Sequence, residues 1–160
     1  MGLQLYAMDD PTKVTIPYPA QTRLATATIN DVPTHITCIS FADKIMLTIT
    51  QNGKLSQWLT VPLQADNPTS ADPHFNLARD MDGDSDSLLP VTRFQPRTLL
   101  GAGGTERETM GQLYASQIAS LITAKNGEES RSLMLGLGLA KVDLSRDTFL
   151  EILDLITRVL

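Results

Sequence analysis

The sequence contains few of the residues on which enzyme catalysis and metal binding depend. Its 160 residues include one cysteine and two histidines. His35 and Cys38 lie three positions apart in a predicted strand, so their side chains point to opposite faces and cannot form a nucleophile pair. His74 lies apart from both, in an acidic segment, whereas a metal site needs clustered ligands. The sequence therefore predicts no catalytic residue, no metal site and no cofactor.

The single cysteine and the absence of long apolar runs also bear on location. Cys38 can form no disulfide within the chain, which favours a reducing compartment. The first residues have neither the basic start nor the continuous apolar stretch of a signal peptide. No apolar run reaches the length that a membrane span requires. We therefore expect a soluble protein of the cytoplasm, with the nucleus as a second location and no membrane partner.

Basic residues are in the minority, which bears on the choice of partner. Lysine and arginine number 13 against 18 acidic residues, which gives a net charge of −5. Because no basic patch is present to neutralise phosphates, the sequence argues against a nucleic-acid partner. Aromatic residues make up only 5% of the chain, so the core must be largely aliphatic. The length fits one domain, spanning residues 1–160.

What the sequence does contain is a long stretch typical of β-structure. Residues 26–63 are rich in Thr, Ile, Leu and Val, with turn signals at Asn30-Asp31, Ala42-Asp43 and Asn52-Gly53. This pattern predicts an antiparallel β-meander of four short strands over residues 22–63. The prolines of residues 1–21 indicate an extended N-terminal segment before it.

The last predicted hairpin decides which residues share a face. A two-residue turn at Asn52-Gly53 would pair Gln51 with Lys54, whereas a three-residue loop with a bulge would pair Thr50 with Lys54. We favour the bulged loop, because it segregates the large apolar residues onto one face. That face would carry Ile45, Leu47, Ile49, Leu55, Leu59 and Val61. The other face would carry Met46, Thr48, Thr50, Ser56, Trp58 and Thr60.

The second half of the chain predicts an acidic mobile loop followed by a strand–helix–strand–helix unit. Residues 64–90 hold three prolines and many aspartates, and residues 91–160 form the unit. Its first strand is interrupted by Pro96, which predicts an edge strand. Thr105 and Glu108 match a capping box at the start of a helix that ends at Asn126-Gly127. The last helix starts near Asp143 or Ser145.

The second strand of this unit has two unlike faces. Leucines alternate with small residues, and glycines stand at positions 136 and 138. Glycine weakens a strand, so this spacing predicts that backbone or a bulky group packs closely against that side. The apolar stripes of the two helices should belong to the core; they comprise Leu113, Ile118, Leu121, Phe149, Ile152 and Ile156.

Together these elements predict an α+β fold, with an antiparallel sheet of about six strands and two α-helices packed on one face. Two helices cannot also cover the second face, which would be neutral. We expect that face to form a partner interface, through Met46, Thr48, Thr50, Trp58 and Thr60. The chain is therefore interpreted as a binding module.

Two further motifs resemble a calcium-binding loop and a phosphate-binding loop, but neither is complete. Aspartates at positions 80, 82, 84 and 86 alternate like calcium ligands, but Ser85 and Val91 stand where a calcium loop needs Gly and Glu. The glycine-rich residues 101–105 precede a helix, yet they lack the Lys-Ser/Thr pair of a phosphate-binding P-loop. A solvated acidic loop and a plain turn are the favoured interpretations.

The order of several short motifs resembles the proteasome assembly chaperone 3 family. These motifs are Val32-Pro33-Thr34, Phe41, Ile45, Leu47, Thr50-Gln51-Asn52-Gly53-Lys54, Thr98-Leu99-Leu100-Gly101, the leucine-rich strand and the final helix ending at Arg158-Val159. The resemblance covers about residues 24–63 and 91–160. The chain departs from animal members in its longer N-terminus and acidic loop, as a fungal-type member would.

This resemblance implies a chaperone without catalysis. It implies pairing with a structurally similar assembly chaperone 4-like subunit, binding of proteasome α-subunits to promote α-ring assembly, and release when β-subunits are incorporated. It leaves open a homodimer of the isolated chain. An alternative is a longin- or roadblock-like adaptor in trafficking or small-GTPase control, which would bind a GTPase or coat subunit. A small hydrolase or ligand carrier would need an internal pocket with convergent polar groups.

Overall fold

The computed structural model describes residues 20–64, 94–101, 103–143 and 145–160. Most of the predicted N-terminal segment 1–21 and of the acidic loop 64–90 therefore lies outside the described residues, as do the four aspartates of the calcium-like run. Within the described part the strands are β1 (Gln21–Ile29), β2 (Val32–Ser40), β3 (Lys44–Gln51), β4 (Gln57–Pro62), β5 (Arg97–Leu100) and β6 (Ser132–Gly138). The helices are α1 (Thr105–Lys125) and α2 (Arg146–Thr157).

The sheet is mixed, with the order β1-β2-β3-β6-β4-β5. Strands β1, β2 and β3 form the predicted meander, and Asn30 and Asp31 make the tight turn between the first two, both with positive φ. Strand β6 then lies between β3 and β4, parallel to β3 and antiparallel to β4. The prediction of a purely antiparallel meander is therefore wrong. A strand whose leucines 133, 135 and 137 are fully buried gains most from a central position, with a neighbour on each side.

The predicted bulged hairpin between β3 and β4 is also wrong. The chain makes the two-residue turn instead: Asn52 and Gly53 have φ values of 54° and 66°, and Gln51 pairs with Lys54 in one isolated bridge. The Lys54 amide donates to the Gln51 carbonyl at 3.2 Å. The chain then crosses to the far side of β6, so β3 and β4 are not neighbours.

The predicted division into two faces survives this change, with one exception. Leu47 of β3 and Leu59 of β4 both pair with Leu135 of β6. Residues that share a register row point to the same face, so Leu47 and Leu59 are on one face of the sheet although β6 lies between their strands. Leu55 was placed on the buried face, but it precedes β4, is 43% exposed and lies beside Gly136 on the other side. The residues whose side chains are buried under the helices include Ile36, Ile45, Leu47, Ile49, Leu59, Val61, Leu133, Leu135 and Leu137.

Both helices pack on that buried face. Helix α1 contacts β4, β5 and β6, and helix α2 contacts β1. From α1 the core receives Met110, Tyr114, Ile118 and Ile122, and from α2 it receives Ile152, Leu155 and Ile156. Leu113 was predicted to be core but is 47% exposed, because it lies at the edge of the buried stripe. No helix of the described residues is long and apolar enough to span a membrane.

The helix boundaries differ slightly from the predicted ones. Thr105 was expected to cap α1, but the Glu108 amide donates to the Gly104 carbonyl at 3.0 Å, so Gly104 is the N-cap and Thr105 lies in the first turn. Asn126 ends this helix as predicted, with its amide bonded to the Ile122 carbonyl. Ser145 precedes α2, and β5 starts directly after Pro96 as an edge strand.

Candidate protein-binding surface

The sheet face opposite the helices, here called the open face, carries all five predicted interface residues. Register places Met46 and Thr60 on either side of Met134, and Thr48 and Trp58 on either side of Gly136. Thr50 pairs with Gly138. The five side chains are half-buried, and they are brought together across β6. The sequence placed them on one face, but not the strand that lies between them.

Several residues of the open face were missed by the sequence reasoning. Ile39 pairs with Met46, so it extends the row of Met134 and Thr60 across β2. Leu24 and Leu100 flank the row that contains Thr48 and Trp58, and they are 66% and 68% exposed. The alternation of β1 and β2 was a signal that could have found Leu24 and Ile39. The open face thus has an apolar centre with two exposed leucines at opposite edges.

The two glycines of β6 allow the chain to pack on its own open face. A Cβ at position 136 would lie 3.0 Å from the Trp58 ring and 3.2 Å from the Leu55 side chain. A Cβ at position 138 would collide with the Lys54 carbonyl, because the segment that connects β3 to β4 crosses there. The prediction that backbone or a bulky group lies against these glycines is confirmed. The consequence is that the Trp58 ring packs directly against the backbone of β6.

Charge is sparse on this face. The six strands contain no aspartate or glutamate. Register places Lys44, Arg97 and His35 on the open face, at its perimeter. Lys44 forms an exposed ion pair with Asp43 of the preceding turn at 3.1 Å. The centre of the open face is therefore neutral, which fits the anatomy of protein interfaces, where charged residues are depleted at the core.

The main charged cluster of the helical side is structural. Glu129 is buried and accepts two hydrogen bonds from the Arg131 side chain, both 2.8 Å long. Another nitrogen of Arg131 donates to the Phe41 carbonyl, which ties the α1–β6 loop to the β2–β3 turn. The hydrogen bond from Arg131 lowers the pKa of Glu129 to about 2. This pair therefore holds the α1–β6 loop against the β2–β3 turn.

A second polar cluster holds the start of α2. Asp143 accepts hydrogen bonds from the Ser145 amide at 2.8 Å, from the Ser145 hydroxyl at 3.0 Å and from the Thr148 hydroxyl at 2.8 Å. These bonds lower the pKa of Asp143. Asn30 donates to Thr148 at 2.7 Å and so links the β1–β2 turn to the helix. Together these bonds fix the first turn of α2 against the β1–β2 turn.

No candidate for nucleophilic or metal chemistry emerges in the described ranges. Cys38 is buried, and burial raises the pKa of its thiol, which disfavours the reactive thiolate. His35 lies on the open face, away from the thiol, as the predicted alternation requires. Among the described residues no group of three or more His, Cys, Asp or Glu could hold a metal ion.

Comparison with known proteins adds a family match and a fold match. The model of a family described as proteasome assembly chaperone 3 matches residues 47–159. Among solved structures, one chain from the "Crystal Structure of a Novel Chaperone Complex for Yeast 20S Proteasome Assembly" matches with a TM-score of 0.59 and 18% identity. The match covers 86% of the present chain and 97% of the yeast chain. At 18% identity this match shows that the two chains share a fold, and no more. No curated protein matches the sequence.

Proposed function

Because the chain belongs to the proteasome assembly chaperone 3 family, we propose that it works as one half of a chaperone pair in assembly of the proteasome core particle. The family is one of chaperones, so the chain is an assembly factor and not an enzyme. The family model spans both the β3–β4 region and α2, and so includes the elements that build most of the open face.

The partner in this pair is a structurally similar, assembly chaperone 4-like subunit that covers the open face. The observation that supports this is the neutral centre formed by Met46, Thr48, Trp58, Thr60 and Met134, none of which is buried by this chain's own helices. Large neutral apolar surfaces of this kind are uncommon on monomers and typical of interfaces. Burial of Trp58 alone would contribute about 2 kcal/mol to pairing.

The pair binds proteasome α-subunits, promotes α-ring assembly and leaves when β-subunits are incorporated. This part of the proposal is supported by the family to which the chain belongs. We expect it to take place in the cytoplasm, with the nucleus as a second location. Microscopy of the tagged chain in its own cells tests this location, and an organelle pattern would contradict it.

Co-expression with the assembly chaperone 4-like subunit tests the interface. Trp58→Ala should raise the dissociation constant of the heterodimer about thirtyfold, in line with a loss of about 2 kcal/mol. Met46→Lys places a charge in the interface and should raise it further. Size-exclusion chromatography over a dilution series measures both. Leu150→Lys is the matched control, because Leu150 is a 49% exposed residue of the helical side, and it should pair normally. Circular dichroism confirms that each variant is folded. Unchanged dissociation constants in both open-face variants would contradict the assignment of this face.

Purification of the tagged chain from its native cells tests the wider role. Mass spectrometry should identify a second small chaperone and α-subunits, with little mature β-subunit. Recovery of GTPases or coat proteins would favour the adaptor alternative instead. Recovery of the chaperone without α-subunits would support pairing but contradict the α-ring role.

A further inference from the structure

A pocket lies on the helical side of the sheet, between the start of β1 and the ends of α1 and α2. Its cavity volume is about 390 Å³, which is within the range of ligand-binding pockets. The apolar part of its wall consists of Cys38, Ile45, Ile122 and Val159, all of which are buried. The sheet separates this pocket from the open face, so a partner on the open face would leave it uncovered.

Cationic side chains surround the apolar wall. Arg23 of β1, Lys125 at the end of α1 and Arg131 before β6 all line the pocket. Burial raises the pKa of the Cys38 thiol, and the charges of Arg23 and Arg131 oppose this effect, so both guanidinium groups lie near the thiol. Among the described residues of the lining, three cations stand against the one side-chain carboxylate of Glu129, in a chain with a net charge of −5.

The three cations differ in how far their charge is already used. Arg131 is held by Glu129 through two bonds of 2.8 Å. Arg23 donates one hydrogen bond, to the main-chain oxygen of Leu160 at 2.8 Å, and a guanidinium group has five N–H donors. Lys125 is exposed and forms no ion pair among the described residues. Lys125 and the remaining donors of Arg23 can therefore bind an added carboxylate.

From this arrangement we infer that the pocket binds an acidic peptide segment of a partner protein, with carboxylates on Arg23 and Lys125 and a neighbouring apolar side chain against the wall that contains Cys38. Successive residues of an extended peptide supply both kinds of group. Negative charge on the peptide is complementary to the cations, and such complementarity accelerates association. The inference does not depend on pairing through the open face.

Fluorescence anisotropy with the purified full chain tests this site. The probe is a dansyl-labelled hexapeptide of alternating leucine and glutamate, and the comparison peptide has glutamine in place of glutamate. The glutamate peptide should bind at least about tenfold more tightly, and its dissociation constant should rise with sodium chloride because salt screens the charges. Equal affinities of the two peptides, or no binding of the glutamate peptide at about 1 mM, would overturn the inference.

A change of charge at Lys125 tests the cations directly. Lys125→Glu should raise the dissociation constant of the glutamate peptide about tenfold, because it replaces an attraction with a repulsion. Lys125→Gln should give a smaller rise. The control is Lys141→Glu, an exposed lysine outside this pocket with the same change of charge, which should bind within about twofold of the wild type. Equal dissociation constants in Lys125→Glu and Lys141→Glu would refute the assignment, provided that circular dichroism shows both to be folded.

Cys38 reports where the peptide binds, because it is the only cysteine of the chain. Modification by N-ethylmaleimide is followed by mass spectrometry, with the glutamate peptide at about five times its dissociation constant. Modification of the wild type should then slow about sixfold, and that of Lys125→Glu much less at the same peptide concentration. An unchanged rate while the peptide is bound would place the peptide elsewhere and contradict the inference.

The acidic segment of this chain is the competing occupant. Residues 64–90 contain six aspartates, and the Leu63 amide donates to the Arg131 carbonyl at 3.1 Å, next to the pocket. A full-length variant with asparagine in place of these six aspartates should bind the glutamate peptide like the wild type. A gain of about tenfold in affinity would mean that the chain's own segment competes for the pocket, and it would overturn the assignment to a partner.

Discussion

The indole of Trp58 lies against the backbone of Gly136, so closely that a Cβ at position 136 would be 3.0 Å from two of its ring carbons. Gly136→Val should therefore push the ring off the sheet and lower the free energy of unfolding by about 2 kcal/mol. Because Trp58 is the only tryptophan, its fluorescence emission reports the displacement directly.

The matched control for this change is Gly127→Val in the turn after α1. A Cβ at position 127 would meet nothing within 4 Å. We expect its unfolding free energy in urea to stay within about 0.5 kcal/mol of the wild type, with unchanged emission. Equal losses of unfolding free energy in the two variants would mean that the contact between the Trp58 ring and Gly136 does not contribute to stability.

The Glu129–Arg131 pair should contribute to stability because Glu129 is buried. Glu129→Ala leaves the Arg131 side chain without its two 2.8 Å bonds and should cost about 2 kcal/mol in urea denaturation. The pair between Asp154 and Arg158 is the comparison, since both side chains are largely exposed. Asp154→Ala should cost no more than about 0.5 kcal/mol. A larger loss for Asp154→Ala would contradict this ranking.

The same pair predicts a pH dependence of stability. Since the pKa of Glu129 is lowered from 4.5 to about 2 in the folded chain, the folded state favours the ionised carboxylate. Its contribution is fully present above pH 4.5 and decreases as the pH falls from 4.5 towards 2. The difference in unfolding free energy between the wild type and Glu129→Gln should therefore shrink below pH 4.5. A difference that stays constant across this range would refute the assignment.

Two residues of α1 should respond oppositely to the same substitution. Ile118 is fully buried, so Ile118→Asp places a charge in the core and should prevent folding. Leu113→Asp changes a side chain that is 47% exposed and should leave the circular dichroism spectrum and cooperative melting intact. Unfolding of both variants would mean that Leu113 is covered in the folded protein.

The two faces of the sheet could be predicted from the sequence, whereas the order of its strands could not. Alternation is a local property, and it assigned Leu47, Leu59 and Trp58 to the correct sides. Pairing depends on residues far apart in the chain: Leu47 and Leu59 both meet Leu135. The Asn52-Gly53 turn favoured a hairpin, and nothing nearby in the sequence signals that β6 separates its arms.

The end of a buried helical stripe is equally hard to locate from spacing. Leu113 has the period of a core residue, yet its side chain is 47% exposed. For the open face, the sequence supplied the five residues of β3 and β4 but not Met134, whose place between Met46 and Thr60 depends on the same distant pairing.

The central position of β6 in the sheet determines the order in which the strands can pair during folding. Strands β1 to β3 pair with their neighbours in sequence, so they can associate once residues 21–51 have left the ribosome. Strand β4 has β5 on one side, but its other edge waits for residues 132–138. Contacts of such long sequence separation form slowly. Pulsed hydrogen exchange should therefore detect early protection in β2 and late, simultaneous protection in β4 and β6. A ribosome-bound chain would expose the unpaired edge of β4 until residues 132–138 emerge.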